Sequence, residues 1–138
     1  MPISITLTEG AIPADRHAHV VKGITDSFLE HHQLTGNTIM TPNVTAHLNV
    51  QPMTHTFAGG QPVCGAWIEI KVPSFALADR DIQKTFFADV TELVHQHSGQ
   101  QLPKKQIWTN VLHTVDGTWN MDGIAKTNQE LGQAISRG

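Results

Sequence analysis

The sequence has a single cysteine, no dense block of lysine and arginine, and no long apolar run, and each shortage removes a class of protein. Cys64 on its own cannot close an internal disulfide and gives no metal-finger spacing. Lys and Arg number 9 against 12 Asp and Glu, a formal net charge of −3, with none of the basic clustering that attracts nucleic acid or an anionic membrane. No stretch approaches the run of about 18 apolar residues that spans a bilayer. The opening Met-Pro-Ile-Ser-Ile-Thr-Leu-Thr-Glu alternates apolar with polar, unlike a signal peptide, so a soluble cytoplasmic protein is expected. What remains is an ordinary globular composition, 39% hydrophobic and 15% charged over 138 residues. One domain of that length buries roughly 68–70% of its unfolded surface and needs no disulfide or metal staple.

Ile3, Ile5 and Leu7 alternate with Ser4, Thr6 and Thr8, which predicts a strand ended by Glu9-Gly10 and Pro13. From about Asp15 to His32 the period becomes helical, with Val20, Ile24 and Phe28 on one face and Lys22, Asp26 and Glu30 on the other. Val44, Ala46, Leu48 and Val50 then alternate as a second strand. The same order returns: Ala66, Ile68, Ile70 and Val72 form a strand, and Asp79 caps a helix to about His97 whose stripe is Ile82, Phe86, Val90 and Leu93. A last strand runs from Ile107 to His113.

Strand–helix–strand therefore occurs twice, over 2–53 and 64–115, at an offset of roughly 62–65 residues. Each unit is a right-handed parallel crossover. Two side by side predict an α/β domain over 1–138: a four-stranded sheet with both helices on one face. Its other face is bare, and such a sheet commonly finishes its core by oligomerising. The tail, 116–138, carries Asp116-Gly117 and Asp122-Gly123 turns and a weak helical stripe of Ile124, Asn128, Leu131 and Ile135. It suits a strand or hairpin that pairs with a neighbouring subunit.

Pro2 is the most pointed chemical feature. The initiator methionine is trimmed when a small residue follows, so the mature chain is expected to begin with a secondary amine. An α-amino group titrates at about 7.7–8.0, against about 10.4 for lysine, and burial or a neighbouring cation lowers it further. Such a group serves as a general base and acid at neutral pH. An alternating core strand follows directly, which holds the amine at a strand end.

Pro2 with its strand, Lys22-Gly23-Ile24-Thr25-Asp26, Gln51-Pro52 with Phe57-Ala58-Gly59-Gly60, and Gln106-Ile107-Trp108 fall in an order that resembles the tautomerase superfamily. The doubled unit is similar to its longer branch, and more narrowly to the group around cis-3-chloroacrylic acid dehalogenase, over about positions 2 to 123. The resemblance implies a β-α-β fold, a homotrimer, a catalytic Pro2 and no cofactor. It also carries departures. The dehalogenases place a histidine on the first helix where this chain has Phe28, and two arginines where it reads Val72-Pro73-Ser74-Phe75-Ala76-Leu77-Ala78. Their tyrosine falls near Asn110 in a chain that has no tyrosine, and their glutamate aligns loosely with Asp122. Without the arginine clamp that binds and orients a carboxylate, hydrolytic dehalogenation is not expected.

The candidates to replace the clamp are Lys71, which alternation places on one face with Trp67 and Glu69, and Arg80 at the start of the second helix. Asn110 is a candidate enolate donor, and Phe28 and Trp108 candidate pocket walls. The 9 histidines include His17-Ala18-His19 and His95-Gln96-His97, whose rings diverge by about 200° on a helix, so no metal is expected. The reaction expected is keto–enol tautomerisation of a small 2-oxo or unsaturated carboxylic acid by Pro2. The alternatives are a hydratase or decarboxylase-type lyase, in which Asp122 positions water, and a non-catalytic oligomeric protein that binds a small acid.

Overall fold

A computed structural model describes residues 1–138. Alternation sets the sheet. Strand β1 (Pro2–Thr8) buries Ile3, Ile5 and Leu7, and β5 (Ala66–Pro73) buries Ala66, Ile68, Ile70 and Val72, so the intervening side chains share the opposite face. Burying an Ile or Leu is worth about 1.5–3 kcal/mol, and a one-residue slip would expose the whole set. β1 pairs in parallel with β2 (Thr45–Gln51), β5 in parallel with β6 (Ile107–Thr114), and β1 with β5 antiparallel. The order β2-β1-β5-β6 is the expected four-stranded sheet. A small hairpin, β3 (Phe57–Ala58) and β4 (Gln61–Pro62), turns through Gly59 and Gly60 at positive φ.

Helices α1 (His17–His31) and α2 (Arg80–His97) lie together over the buried face of the sheet. Helix α1 buries Val20, Ile24, Phe28 and Leu29. Helix α2 is capped by Asp79, whose carboxylate accepts from the amides of Asp81 (2.9 Å) and Ile82 (3.0 Å). It buries Phe86, Val90 and Val94; Leu93, expected on that stripe, turns toward α1 instead. There it fills the space of the missing side chain at Gly23, where an added Cβ would stand 2.3 Å from Leu93 Cδ1.

The tail contains the expected hairpin, but its helix begins later than the stripe suggested. Trp119–Met121 (β7) and Ile124–Lys126 (β8) pair with each other, so the stripe counted from Ile124 breaks into a hairpin followed by α3 (Asn128–Ile135). Thr127 and Glu130 form a reciprocal capping box that starts α3 there. Leu131 and Ile135 are buried, and Asn37 donates to the Ile135 carbonyl at 3.0 Å. The tail thus closes one end of its own domain, and the outer face of the sheet is left uncovered.

One polar contact ties α1 to the segment between β5 and α2. His32 Nδ1 donates to the Phe28 carbonyl at 2.8 Å, which leaves Nε2 to accept from the Leu77 amide at 3.0 Å. Leu77 is buried at φ 51°, a left-handed backbone that a leucine rarely adopts, and Gln83 donates to its carbonyl at 2.9 Å. A protonated Nε2 cannot accept, and burial lowers the His32 pKa. The sign follows from the depressed folded value: the unfolded chain takes the proton first. The contribution of His32 is therefore present above about pH 6.5 and is lost as the pH falls from there toward the folded value. His32→Gln is expected to lower stability by about 1–2 kcal/mol at pH 7.5 in urea denaturation. The gap between the two proteins should narrow by pH 5; a gap constant with pH would refute the assignment.

Candidate active site

The pairing of β1 with β5 sets Ile3 opposite Ile70 and Ser4 opposite Glu69, so Pro2 comes beside Lys71 on the outer face. On the other side, β2 brings His47 level with Ser4 and Asn49 level with Thr6. The result is a cavity of about 330 Å³ lined by Pro2, Ser4, His47, Asn49, Glu69 and Lys71. Glu69 and Lys71 are exposed, and neither joins the chain's ion pairs, Lys22–Asp26, His31–Asp89 and Lys104–Glu92. Their charges, one of each sign, face the cavity uncompensated by the protein.

The chain terminus sits at the rim of this arrangement. Met1 is buried, its carbonyl accepts from the Thr45 amide at 3.2 Å, and its amine donates to the Asn43 carbonyl. Burial lowers that amine to about 6. The Met1 amine is thus largely neutral at physiological pH.

Many solved structures share this architecture, and three illustrate it. Pt0534 inactivated by 2-oxo-3-pentynoate superposes with a TM-score of 0.75 at 16% identity, over 96% of this chain and 99% of that one. The F6 fused 4-OT, an asymmetric trimer, gives 0.74 at 15% over 96% and 99%. N1, a member of the cis-3-chloroacrylic acid dehalogenase family, gives 0.73 at 15% over the full length of both chains. The fold is that of the fused tautomerases. No family model and no curated protein matches the sequence.

Within one chain of this tautomerase fold, Pro2 and Lys71 come together and the other candidates lie apart. Arg80 and Asn110 share a different cavity, of about 270 Å³, with Leu77, Gln83, Phe87 and His113 at the β6 edge. Arg80 reaches Gln83 Oε1 at 3.4 Å there. Trp108 stacks on Trp67 with centroids 5.0 Å apart, and Trp67 pairs with Thr6, about 13 Å along β1 from Pro2. The two indoles close over Gly65, where a Cβ would meet Trp108 at 2.7 Å. Asp122 stands in the β7–β8 turn at φ 55°, facing a cleft with Asn43, Lys126 and Arg137. Phe28 is corrected outright: it is fully buried beneath the sheet, stacked on His32 and edge-on to Phe86.

Ser4, His47, Asn49 and Glu69 are the cavity residues that sequence reasoning missed. Alternation already placed Ser4 and Glu69 on polar strand faces; the strand pairing was the absent information. No three His, Cys, Asp or Glu side chains converge on a common point. Cys64 is half-buried with its thiol pKa raised by burial, which disfavours a reactive thiolate. No helix is long and apolar enough to cross a membrane. As a core residue, Phe28→Ala is expected to cost about 3–5 kcal/mol in denaturant unfolding. A folded, equally stable Phe28→Ala with altered ligand affinity would instead make Phe28 a pocket wall.

Proposed function

We propose that this chain is a cofactor-independent tautomerase that acts on a small 2-oxo or unsaturated carboxylic acid, with the processed Pro2 amine as general base and acid. The observation that carries the reading is the shared cavity: a strand-end proline beside Lys71, on a sheet face with no other cation among its lining residues. Lys71 would hold the substrate carboxylate by a charge-assisted hydrogen bond. That contact sets the carbons next to the carboxylate against Pro2. The neutral amine takes the proton from the enol oxygen and becomes a prolinium; C–O becomes C=O while the C=C π pair takes the proton back from the prolinium as a new C–H bond, with no net oxidation. Ser4, two residues along β1, would donate to the oxygen while it carries charge. A cation beside the freed amine would lower its pKa, and Lys71 is the candidate for that effect. A homotrimer, as in the fused 4-OT structures, would cover the bare sheet face.

Met1 supports the rival. Its side chain is seated in the core, and a chain that keeps it has an amide nitrogen at Pro2, without a lone pair to accept a proton. The same cavity is then an acid-binding pocket without turnover.

Intact mass of the native protein separates the two, and a mass short by one methionine is expected. With that form, Pro2→Ala should lower kcat/KM on enol acids by about 10²–10⁴-fold. Retained Met1, or unchanged turnover in Pro2→Ala, would sink the catalytic reading. Lys71→Ala is expected to raise KM by about 10–100-fold. It should also move the acidic limb of the kcat/KM profile to higher pH, because the cation no longer depresses the amine; a limb that stays in place would remove Lys71 from the site.

A further inference from the structure

We infer that the Ala76–Leu77 peptide is a proton-operated latch, held at its carbonyl by His113 and at its amide by His32, which releases the segment between β5 and α2 in mild acid while the sheet stays folded. The latch is independent of the chemistry proposed for Pro2. His113 Nε2 donates to the Ala76 carbonyl at 2.8 Å, and the Leu77 amide donates to His32 Nε2 at 3.0 Å. Both groups belong to one peptide unit, so imidazoles from β6 and α1 close on it from its two ends. Ala76 and Leu77 are buried within the chain, so the contact does not depend on what covers the outer face of the sheet.

The partners fix the protonation that each ring needs. A carbonyl only accepts, so His113 Nε2 carries its proton, and it donates as a neutral ring or as a cation. An amide only donates, so His32 Nε2 must be bare, with the Nδ1 proton on the Phe28 carbonyl at 2.8 Å. The carbonyl anchor therefore tolerates acid and the amide anchor does not. Burial and the neighbouring His31 both oppose a charge on His32 in place. No carboxylate offsets it: His31 takes Asp89 of α2, the Asp79 carboxylate is occupied by the α2 cap, and His113 across the peptide brings a second cation in acid. Leu77 is what moves when its amide is freed, because φ 51° is held only by its surroundings. Its carbonyl accepts from Gln83 Nε2 at 2.9 Å, and Gln83 Oε1 accepts from Arg80 at 3.4 Å. Relaxation of Leu77 toward negative φ turns the peptide about His113 and loosens Gln83 and Arg80, which share the cavity at the β6 edge with both.

The test is amide hydrogen exchange by NMR on the native protein at pH 7.5 and 5.5, each rate corrected for its intrinsic pH dependence. With an unfolded-state histidine value of about 6.5, the protection of Leu77 relative to the core-strand amide of Ile68 should fall by about 10-fold between the two. In His32→Gln the relative protection should change with pH by no more than about twofold. His113→Ala should lower it at both pH values and keep the pH dependence, and His113→Gln, which retains a donor, should restore it. Circular dichroism verifies that the variants fold. A Leu77 protection that follows Ile68, that does not change with pH, or that keeps its pH dependence in His32→Gln overturns the latch. Protection unaltered by His113→Ala overturns its second anchor, and with it the pivot.

Discussion

The antiparallel seam between β1 and β5 decides where everything else goes, because each strand has only one face it can bury. Ile3 and Ile5 on one side and Ile68 and Ile70 on the other must all point at the helices. Only registers that keep both sets inward satisfy that demand. Once Ile3 meets Ile70, the outward residues have no freedom left: Ser4 meets Glu69 and Pro2 reaches Lys71. The side chains of the outer face are thus positioned by the packing of the inner one. The polar cavity needs no hydrogen-bond network of its own to assemble.

The two strand–helix–strand units share a topology and differ at the corner where β1 and β5 begin. The first unit opens with Pro2, exposed at its strand end beside an open cavity. The second opens with Gly65 and Ala66, and there the backbone runs beneath the stacked Trp67 and Trp108 rings too closely for any Cβ. The Gly65 amide is further tied to the Thr8 hydroxyl at 2.9 Å, and Thr8 in turn donates to Thr56. One corner opens on a polar cavity and the other is sealed by aromatics. The first unit therefore brings Pro2 to that cavity, and the second supplies its charged strand.

Alternation and helical spacing read the main elements nearly to the residue, because Ile3-Ile5-Leu7 and Val20-Ile24-Phe28 commit each segment to one period and one face. Phe28 belongs to that stripe, which assigns it to the core rather than to a pocket wall. The capping box Thr127-Asn128-Gln129-Glu130 was also visible and would have started α3 after Lys126 rather than at Ile124. The cavity was less legible for a different reason. Which strand faces are polar is local information, whereas which strands are neighbours depends on the whole sheet. Lys71 was found because it alternates with the core, but Ser4, His47, Asn49 and Glu69 gain meaning only from the pairing of β1 with both β2 and β5.

Met1 brings the fold and the chemistry into opposition. Its buried side chain contributes on the order of 1.5–3 kcal/mol to the folded chain, and its carbonyl extends the pairing of β1 with Thr45. Removing it forfeits that packing and transfers the free amine to Pro2. Burial depresses the Met1 amine to about 6 at this end of β1. A peptidase cannot reach a methionine seated in the core, so excision has to precede the closing of β1 against β2 and β5. On the proposed reading the order decides the chemistry: a chain that folds with Met1 in place keeps an amide at Pro2, and one trimmed first gives up this packing to free the amine.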